Sequence, residues 1–123
     1  MEDSRRPFID IHLFGAKGRG VRAREAIAAG QLIESCPVLI LSADDLARLQ
    51  QTRLADYTFA WPDSDGDAVA FGYLSFVNHA EDPNSRVDRD PAAQVIRWYA
   101  LRAIEAGEEI TFRYRDTSWF QVL

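Results

Sequence analysis

Short stretches of alternating apolar and polar residues, separated by turn signals, run through this chain. In the first stretch, Ile9, Ile11 and Leu13 alternate with polar neighbours, which is the period of a half-buried strand. Similar stretches predict strands over residues 21–23, 32–36, 38–41, 57–61, 68–71, 94–102 and 110–114. Many short strands with frequent turns predict a mainly β domain.

One stretch predicts a helix. Ser42 can accept a hydrogen bond from the first free amides of a helix, and Asp44 and Asp45 in the first turn favour its dipole. The side chains expected to face inward from this region are Leu46, Leu49 and Leu54. Pro37 separates two of the predicted strands and is expected at an edge or a bend. The expected fold is therefore mainly β with one or two short helices.

One sequence frame occurs twice. Residues 26–33 and 103–110 both read Ala-Ile, one variable residue, Ala-Gly, and then an acid or amide before an apolar strand. Gly30 and Gly107 are expected to take the positive φ that such a turn needs. The repetition fits one turn chemistry used twice, and it also fits a duplicated ancestral unit.

Composition and charge narrow the classes of protein. At 123 residues with 47% hydrophobic content, the chain is expected to form a single domain over 1–123. A formal net charge of −5 argues against direct nucleic-acid binding, which needs clustered Lys and Arg. Cys36 is the only cysteine, so an intrachain disulfide and a cysteine-based zinc cluster are excluded. Without a signal-peptide core or an apolar run of about 18 residues, we expect a cytoplasmic protein with no membrane partner.

Three polar segments carry candidate chemistry. Segment 78–84 reads Asn-His-Ala-Glu-Asp-Pro-Asn, and segment 107–114 reads Gly-Glu-Glu-Ile-Thr-Phe-Arg-Tyr. Upstream, segment 17–20 reads Lys-Gly-Arg-Gly, whose glycines can reach positive φ and let a ligand approach the backbone. Each segment alone would be an ordinary turn or loop, so the information lies in their order and spacing.

In this combination the chain resembles the SET-domain protein-lysine methyltransferases, in the form of a minimal bacterial SET protein. The likeness runs from about Ile9 to Phe120 and implies the family fold, a β-clip-like set of small curled sheets with a C-terminal pseudoknot. The expected organisation is one SET domain over 1–123, with no pre-SET and no Cys-rich post-SET segment, and with a short aromatic tail over 115–123.

The resemblance also implies an activity and a set of roles. S-adenosylmethionine would donate a methyl group to a lysine side chain of a protein or peptide, and no metal is expected. Tyr114 matches the family's essential tyrosine, and Tyr73 is expected to add a hydroxyl to the lysine channel. Phe112 matches the position that influences the methyl number, and a Phe there predicts di- or trimethylation. The residues assigned to cofactor binding are Lys17, Gly18, Arg19, Gly20, Asn78, His79 and Trp119. Phe120 would help to wall the lysine channel, and a likeness to a small viral member implies a homodimer.

The chemistry of lysine fits a site without a strong base. A lysine with a pKa near 10.4 is neutral in only about one molecule in 10³ at pH 7.4, which costs roughly 4 kcal/mol. Apolar channel walls and a nearby sulfonium charge would both lower that pKa. The acids near the motif belong to turns, so the sequence supplies no general base, and the proposed chemistry requires none.

Some positions depart from the family pattern and keep alternatives open. The departures are Arg113 in place of Asp, Arg115 in place of Gly, Ser75 in place of Arg, Val87 in place of a channel Tyr, and Cys36-Pro37 in place of a Tyr-x-Gly element. One alternative is a non-catalytic interaction module on the same scaffold. Another is a metal-dependent hydrolase that uses His79, Glu81, Asp82 and Asp88 or Asp90, although the ligand spacing is irregular.

Overall fold

The computed structural model describes residues 7–64 and 66–114. This part of the chain holds nine strands, one α-helix and three short 3-10 helices. The strands are β1 (Ile9–Leu13), β2 (Arg19–Ala23), β3 (Leu32–Ile40), β4 (Thr58–Phe59), β5 (Ala68–Ala70), β6 (Asn78–His79), β7 (Ser85–Asp90), β8 (Val95–Ala100) and β9 (Glu109–Phe112). The helix is α1 (Ala43–Leu49), and the 3-10 helices span Gly15–Lys17, Arg53–Tyr57 and Tyr73–Phe76. The prediction of a mainly β fold is confirmed, and no described helix is long and apolar enough to cross a membrane.

The chain divides into two compact units. Within the described residues, the first unit holds 7–31, 76–86 and 99–114, and the second holds 32–64, 66–75 and 87–98. The single domain expected over 1–123 stays a prediction. The C-terminal tail 115–123 lies outside the described residues, so the expected pseudoknot stays a prediction.

A four-stranded sheet in the order β1-β2-β9-β6 forms the frame of the first unit. β1 pairs antiparallel with β2, from Ile9 opposite Ala23 to Leu13 opposite Arg19. The alternation in β1 predicts an inward Leu13, but its side chain is exposed, and only Ile9 of the three apolar residues is fully buried. β9 pairs antiparallel with β2 and parallel with β6, so the last described strand lies between two earlier ones.

The two copies of the repeated frame pair with each other in the first unit. Ile27 and Ile104 exchange backbone hydrogen bonds, with N–H to oxygen distances of 2.8 and 2.9 Å, and both side chains are buried. Around this pair, the Gly30 N–H donates to Ala100 at 2.9 Å, while the Gly107 N–H donates to the equivalent residue of the other copy, Ala23, at 2.8 Å. The two turns are thus related by a local two-fold arrangement.

The residue after each glycine explains why the frame ends in an acid or amide. Gln31 Oε1 accepts the N–H of Ala28 at 3.0 Å, and Glu108 Oε1 accepts the N–H of Glu105 at 3.0 Å. Gly30 and Gly107 have φ of +81° and +90°, which confirms their predicted conformation. The same side-chain cap therefore closes both turns, and we call residues 23–31 and 100–108 the twin turns.

A five-stranded sheet in the order β4-β5-β3-β8-β7 lies mostly in the second unit. The expectation that Pro37 splits two strands is wrong, because β3 runs unbroken through it. Its carbonyl accepts the N–H of Phe71 at 3.0 Å, and Val38 then pairs with Ala70. A strand tolerates a proline where the ladder uses its carbonyl rather than a donor.

The α-helix begins where the sequence predicts. Ser42 accepts the Asp45 N–H at 3.0 Å, and the Asp45 side chain accepts the Ser42 N–H at 3.3 Å, which forms a capping box. The inward-facing leucines are only partly confirmed: Leu46 and Leu49 are half-buried, whereas Leu54 is exposed. Leu54 lies in the 3-10 helix Arg53–Tyr57, outside α1, and this helix also shortens the predicted strand 57–61 to β4.

Candidate active site

Tyr114, just beyond the end of β9, is held by both its side chain and its main chain. Its hydroxyl donates a hydrogen bond to the carbonyl oxygen of Val77 at 2.6 Å, and its N–H donates to Nδ1 of His79 at 2.8 Å. The parallel register of β6 and β9 makes both bonds reachable, because it places His79 opposite Phe112. The donation to Val77 fixes the direction of the O–H bond, so the oxygen lone pairs point away from that carbonyl.

His79 connects Tyr114 to a surface ion pair. Its side chain is only 3% exposed. Because Nδ1 accepts the Tyr114 N–H, the ring proton lies on Nε2, which donates to Glu81 Oε2 at 2.8 Å. Glu81 also pairs with Arg113 at 3.4 Å, so the departure Arg113 has an acidic partner. The hydrogen bond from His79 and then the charge of Arg113 lower the pKa of Glu81.

Aromatic rings surround this tyrosine. The ring centroids of Phe112 and Tyr114 lie 5.2 Å apart in an edge-to-face arrangement, and those of His79 and Tyr114 lie 5.1 Å apart. Phe112 is buried. The ring of Tyr114 is therefore packed on two sides, as a residue that must orient a reacting group requires.

Asn78, the neighbour of His79, faces the glycine segment. Its Nδ2 donates to the carbonyl oxygen of Arg19 at 3.2 Å and to Glu109 Oε2 at 2.8 Å. The other oxygen of Glu109 accepts from Lys17 Nζ at 2.9 Å. Asn78, Glu109 and Lys17 thus form one hydrogen-bonded cluster beside β2, which we call the Asn78 cluster. Sequence reasoning missed Glu109, which it placed only in a turn.

The two glycines of segment 17–20 are needed for different reasons. A Cβ on Gly20 would stand 2.6 Å from Asn78 Nδ2 and 2.7 Å from Glu109 Oε2, so only glycine leaves room for that hydrogen bond. Gly18 has φ of +80°, and nothing lies within 4 Å of its Cβ position, so its backbone is open to approach. Between them, the Arg19 guanidinium lies 4.9 Å from the ring centroid of Phe76. Such cation–π contacts hold a cation in place without neutralising it.

Asn84, the last residue of the polar motif, performs a structural role that the sequence did not reveal. It is only 2% exposed, its Oδ1 accepts the Thr111 N–H at 2.9 Å, and its Nδ2 donates to the Glu109 carbonyl at 2.9 Å. Ser85 adds a hydrogen bond from its hydroxyl to the Thr111 carbonyl. A loop asparagine can thus replace a strand as the hydrogen-bonding partner of β9, and the signal for this was an Asn directly after a loop proline.

Tyr73 belongs to the second unit and has its own surroundings. Its N–H donates to Glu34 Oε2 at 2.9 Å, and the next N–H, of Leu74, donates to Glu34 Oε1 at 3.0 Å. The Cys36 thiol lies 3.1 Å from Glu34 Oε1, and burial followed by the charge of Glu34 raises the pKa of this thiol. The departure Cys36 is therefore a buried neighbour of the half-buried Glu34 that caps the helix Tyr73–Phe76, and the channel role of Tyr73 stays a prediction.

Two predictions remain, the roles of the C-terminal aromatic residues and the hydrolase alternative. Trp119 and Phe120 lie outside the described residues, so their predicted roles are untested. For the hydrolase alternative, no group of three or more His, Cys, Asp or Glu that could hold a metal occurs in the described ranges 7–64 and 66–114. Both ring nitrogens of His79 are already engaged by Tyr114 and Glu81, which leaves this alternative without its main ligand.

The structure thus brings Gly18, Gly20, Asn78, Phe112 and Tyr114 together in one unit, around a tyrosine fixed by a parallel strand pair. Similarity to known proteins assigns the class of enzyme, a protein-lysine methyltransferase. The sequence model of the SET domain matches residues 18–115, and the chain belongs to the SET domain family. The predicted family and enzyme class are confirmed.

Curated relatives and solved structures agree with this membership. The chain is 38% identical over 106 residues to the Schizosaccharomyces pombe histone-lysine N-methyltransferase specific for H3 lysine-37, covering 85% of this chain and 71% of that protein. It is 43% identical over 58 residues to Danio rerio histone-lysine N-methyltransferase SUV39H1-A, but covers only 14% of that protein. In fold, it is similar to an active polycomb repressive complex 2 in the basal state, with a TM-score of 0.73, 26% identity, and 88% and 15% coverage of the two chains.

Proposed function

We propose that this chain transfers a methyl group from S-adenosylmethionine to the side-chain amine of a lysine in a basic protein segment, with a histone tail as the first substrate class to test. The observation that carries the proposal is the position of Tyr114. Its hydroxyl bonds to Val77, directly before Asn78-His79, while its N–H bonds to His79. One tyrosine is thereby tied by two hydrogen bonds to the motif that the family resemblance assigns to the cofactor.

The residues of the site fit such a cofactor. The backbone at Gly18 is open, Asn78 keeps a carbonyl oxygen that no described residue binds, and Arg19 is a cation held over Phe76. These groups would hold the amino-acid end of the ligand, through its carboxylate and its ammonium. When bound, S-adenosylmethionine supplies an activated methyl group to a neutral amine.

The protein residues can orient the acceptor without serving as a base. Glu81, the carboxylate linked to Tyr114 through His79, is occupied by His79 and Arg113, so it is not placed to remove a proton from lysine. We therefore expect the lysine to lose its proton to solvent before the transfer. The oriented oxygen of Tyr114 would then hold the neutral nitrogen in line, as a preorganised dipole.

The test is transfer of tritiated methyl from S-adenosylmethionine to histone octamers and to an array of lysine peptides. Tyr114→Phe is expected to lower kcat by about 10²–10³-fold, the usual effect of removing one preorganised polar group, while the cofactor Kd changes little. Tyr99→Phe is the matched control, because Tyr99 is a half-buried strand tyrosine whose ring lies 4.6 Å from the Arg86 guanidinium. It should retain the full rate.

An interaction module on the same scaffold predicts a different result. In that case, Tyr114→Phe would leave the biological effect of the protein unchanged, and no labelled product would accumulate with either substrate. The buried network around His79 favours catalysis, because a pure binding module has no need to fix the direction of a tyrosine hydroxyl.

The methyl number is proposed from Phe112. Its buried ring lies edge-to-face against Tyr114, where a tyrosine would add a hydroxyl and a bound water. The site therefore has room for a partly methylated lysine, and we expect di- and trimethylated products. Phe112→Tyr should shift the product toward monomethyl-lysine in intact-mass spectra of the peptide. An unchanged product distribution would contradict this assignment.

Self-association is a further part of the proposal. The resemblance to a dimeric viral member motivates this proposal. Sedimentation equilibrium at micromolar concentration should report a mass of two chains, and a mass of one chain would contradict it.

A further inference from the structure

The orientation of the Asn78 amide is determined by its partners. The carbonyl oxygen of Arg19 and the carboxylate oxygen of Glu109 can only accept hydrogen bonds, so the atom of Asn78 facing them must be the NH₂ group. Both amide hydrogens are then used inside the protein. The carbonyl oxygen Oδ1 points away from the Asn78 cluster, and no described residue donates to it.

We propose that Glu109 and Lys17 are positioning residues that set Asn78 to present an acceptor, which selects a ligand carrying an ammonium group. This inference rests on the proposed function and identifies that group as the α-ammonium of S-adenosylmethionine. It also assigns Lys17, the only lysine of the chain, to the support of Asn78 rather than to direct ligand contact.

The geometry suits a fixed orientation. The side chain of Glu109 is only 15% exposed and that of Lys17 only 28%, so the ion pair is partly shielded from water. Each carboxylate oxygen has a separate partner, Lys17 Nζ at 2.9 Å and Asn78 Nδ2 at 2.8 Å. The missing Cβ of Gly20 gives these atoms their space. Lys17 and Glu109, which are 92 positions apart in sequence, therefore cooperate to hold one amide.

Glu109→Gln is the most direct test of the orientation of the Asn78 amide. A glutamine offers one acceptor oxygen where the carboxylate offers two, so Lys17 and Asn78 cannot each keep the separate oxygen that they have in Glu109. If the new amide turns its NH₂ toward Asn78, the Asn78 side chain must flip and present a donor to the ligand. A donor facing an ammonium would reverse the selectivity of the site.

The probes are S-adenosylhomocysteine, which carries the ammonium, and 5′-methylthioadenosine, which lacks the whole amino-acid end, each titrated calorimetrically. Glu109→Gln is expected to weaken S-adenosylhomocysteine about tenfold, the effect of one lost hydrogen bond to a charged group, and to leave 5′-methylthioadenosine unchanged. S-adenosyl-4-thiobutyrate, which keeps the carboxylate but lacks the ammonium, should also be unaffected.

Glu108→Gln is the matched control, since it makes the same charge change on the adjacent residue. Glu108 contacts Asn84 and Arg102 but not Asn78, so its variant should bind both probes as the unchanged chain does. Equal losses of both probes in Glu109→Gln, or equal behaviour of the two variants, would overturn the inference. Absence of S-adenosylhomocysteine binding by the unchanged, folded chain would instead contradict the proposed function itself.

A second variant keeps the inference testable if Glu109→Gln melts below the assay temperature. Lys17→Met retains both hydrogen bonds of Asn78 but removes the cation that holds Glu109. A smaller loss, of about threefold, is expected for S-adenosylhomocysteine alone, as for a partly exposed ion pair. Parallel losses for S-adenosylhomocysteine and 5′-methylthioadenosine would overturn the positioning role.

Discussion

The twin turns and the polar segment 78–84 lie in the same unit, yet they use their polar groups in opposite ways. In the twin turns, the N–H groups of the paired isoleucines and of the two glycines bond to equivalent residues of the other copy. The capping side chains of Gln31 and Glu108 bond to equivalent N–H groups in their own turns. Segment 78–84 has no second copy. Its side chains hold β9 and Tyr114, while Asn78 directs an acceptor outward.

This difference separates scaffold from site. A polar group whose hydrogen-bonding partners all lie in the twin turns has no free donor or acceptor for a ligand, so it contributes chiefly to stability. A group whose partners fix one end of it, and leave the other end open, can recognise a ligand without reorganising. Substitutions should therefore lower stability in the twin turns and change binding or rate in the segment, with Asn84 as the informative exception.

The largest stability loss is expected at the centre of the twin turns. Ile27→Ala and Ile104→Ala each remove a fully buried side chain and should each lower the free energy of unfolding by about 2–5 kcal/mol. Because the two sites are related by the local two-fold arrangement, the two losses should be similar. Urea unfolding of both variants measures this, and a loss confined to one of them would show that the turns are not energetically equivalent.

Asn84→Ala should cause the next largest loss of stability, and it tests whether Asn84 belongs to the scaffold or to the site. It leaves the buried N–H of Thr111 without its acceptor, which costs about 1–3 kcal/mol. Asn78→Ala is the comparison, since Asn78 is more exposed and should lose cofactor affinity with a smaller change in stability. If Asn84→Ala weakened the cofactor while unfolding normally, Asn84 would belong to the site.

The sequence predicted most of the elements, because turn chemistry and alternation are local signals. The capping box at Ser42 and the positive φ of Gly30 and Gly107 follow from residues within one turn. The bounds of the strands were less predictable. Pro37 remains inside β3 because its carbonyl accepts the N–H of Phe71, just beyond β5, and the exposure of Leu13 depends on what packs against β1.

Within the candidate site, the family motif named the residues but not their contacts. Asn78, Phe112 and Tyr114 were identifiable from order and spacing, and the structure places them in one unit. Glu109 and Asn84 were not, because each acts through partners more than twenty residues away in sequence. The pairing of the twin turns with each other was equally invisible, since a repeated frame does not say whether its copies meet.

The smallest effect is expected from Glu108→Gln, which gives both twin turns the same capping amide, as Gln31 already provides in the other copy. The hydrogen bond from the Glu105 N–H, with help from Arg102 and Asn84, lowers the pKa of Glu108 below its ordinary value of 4.5. A carboxylate with a lowered pKa stabilises the fold above its unfolded pKa and loses that contribution as the pH falls through the folded value. The variant should therefore be slightly less stable than the unchanged chain at pH 7, by less than about 1 kcal/mol for so exposed a pair, and the difference should vanish well below pH 4.5.

Thermal unfolding across pH 3–7 measures this difference in stability, with Gln31→Glu as the reverse exchange. A difference that stayed constant over this range would mean that the capping geometry of the turn, rather than its charge, distinguishes the two copies.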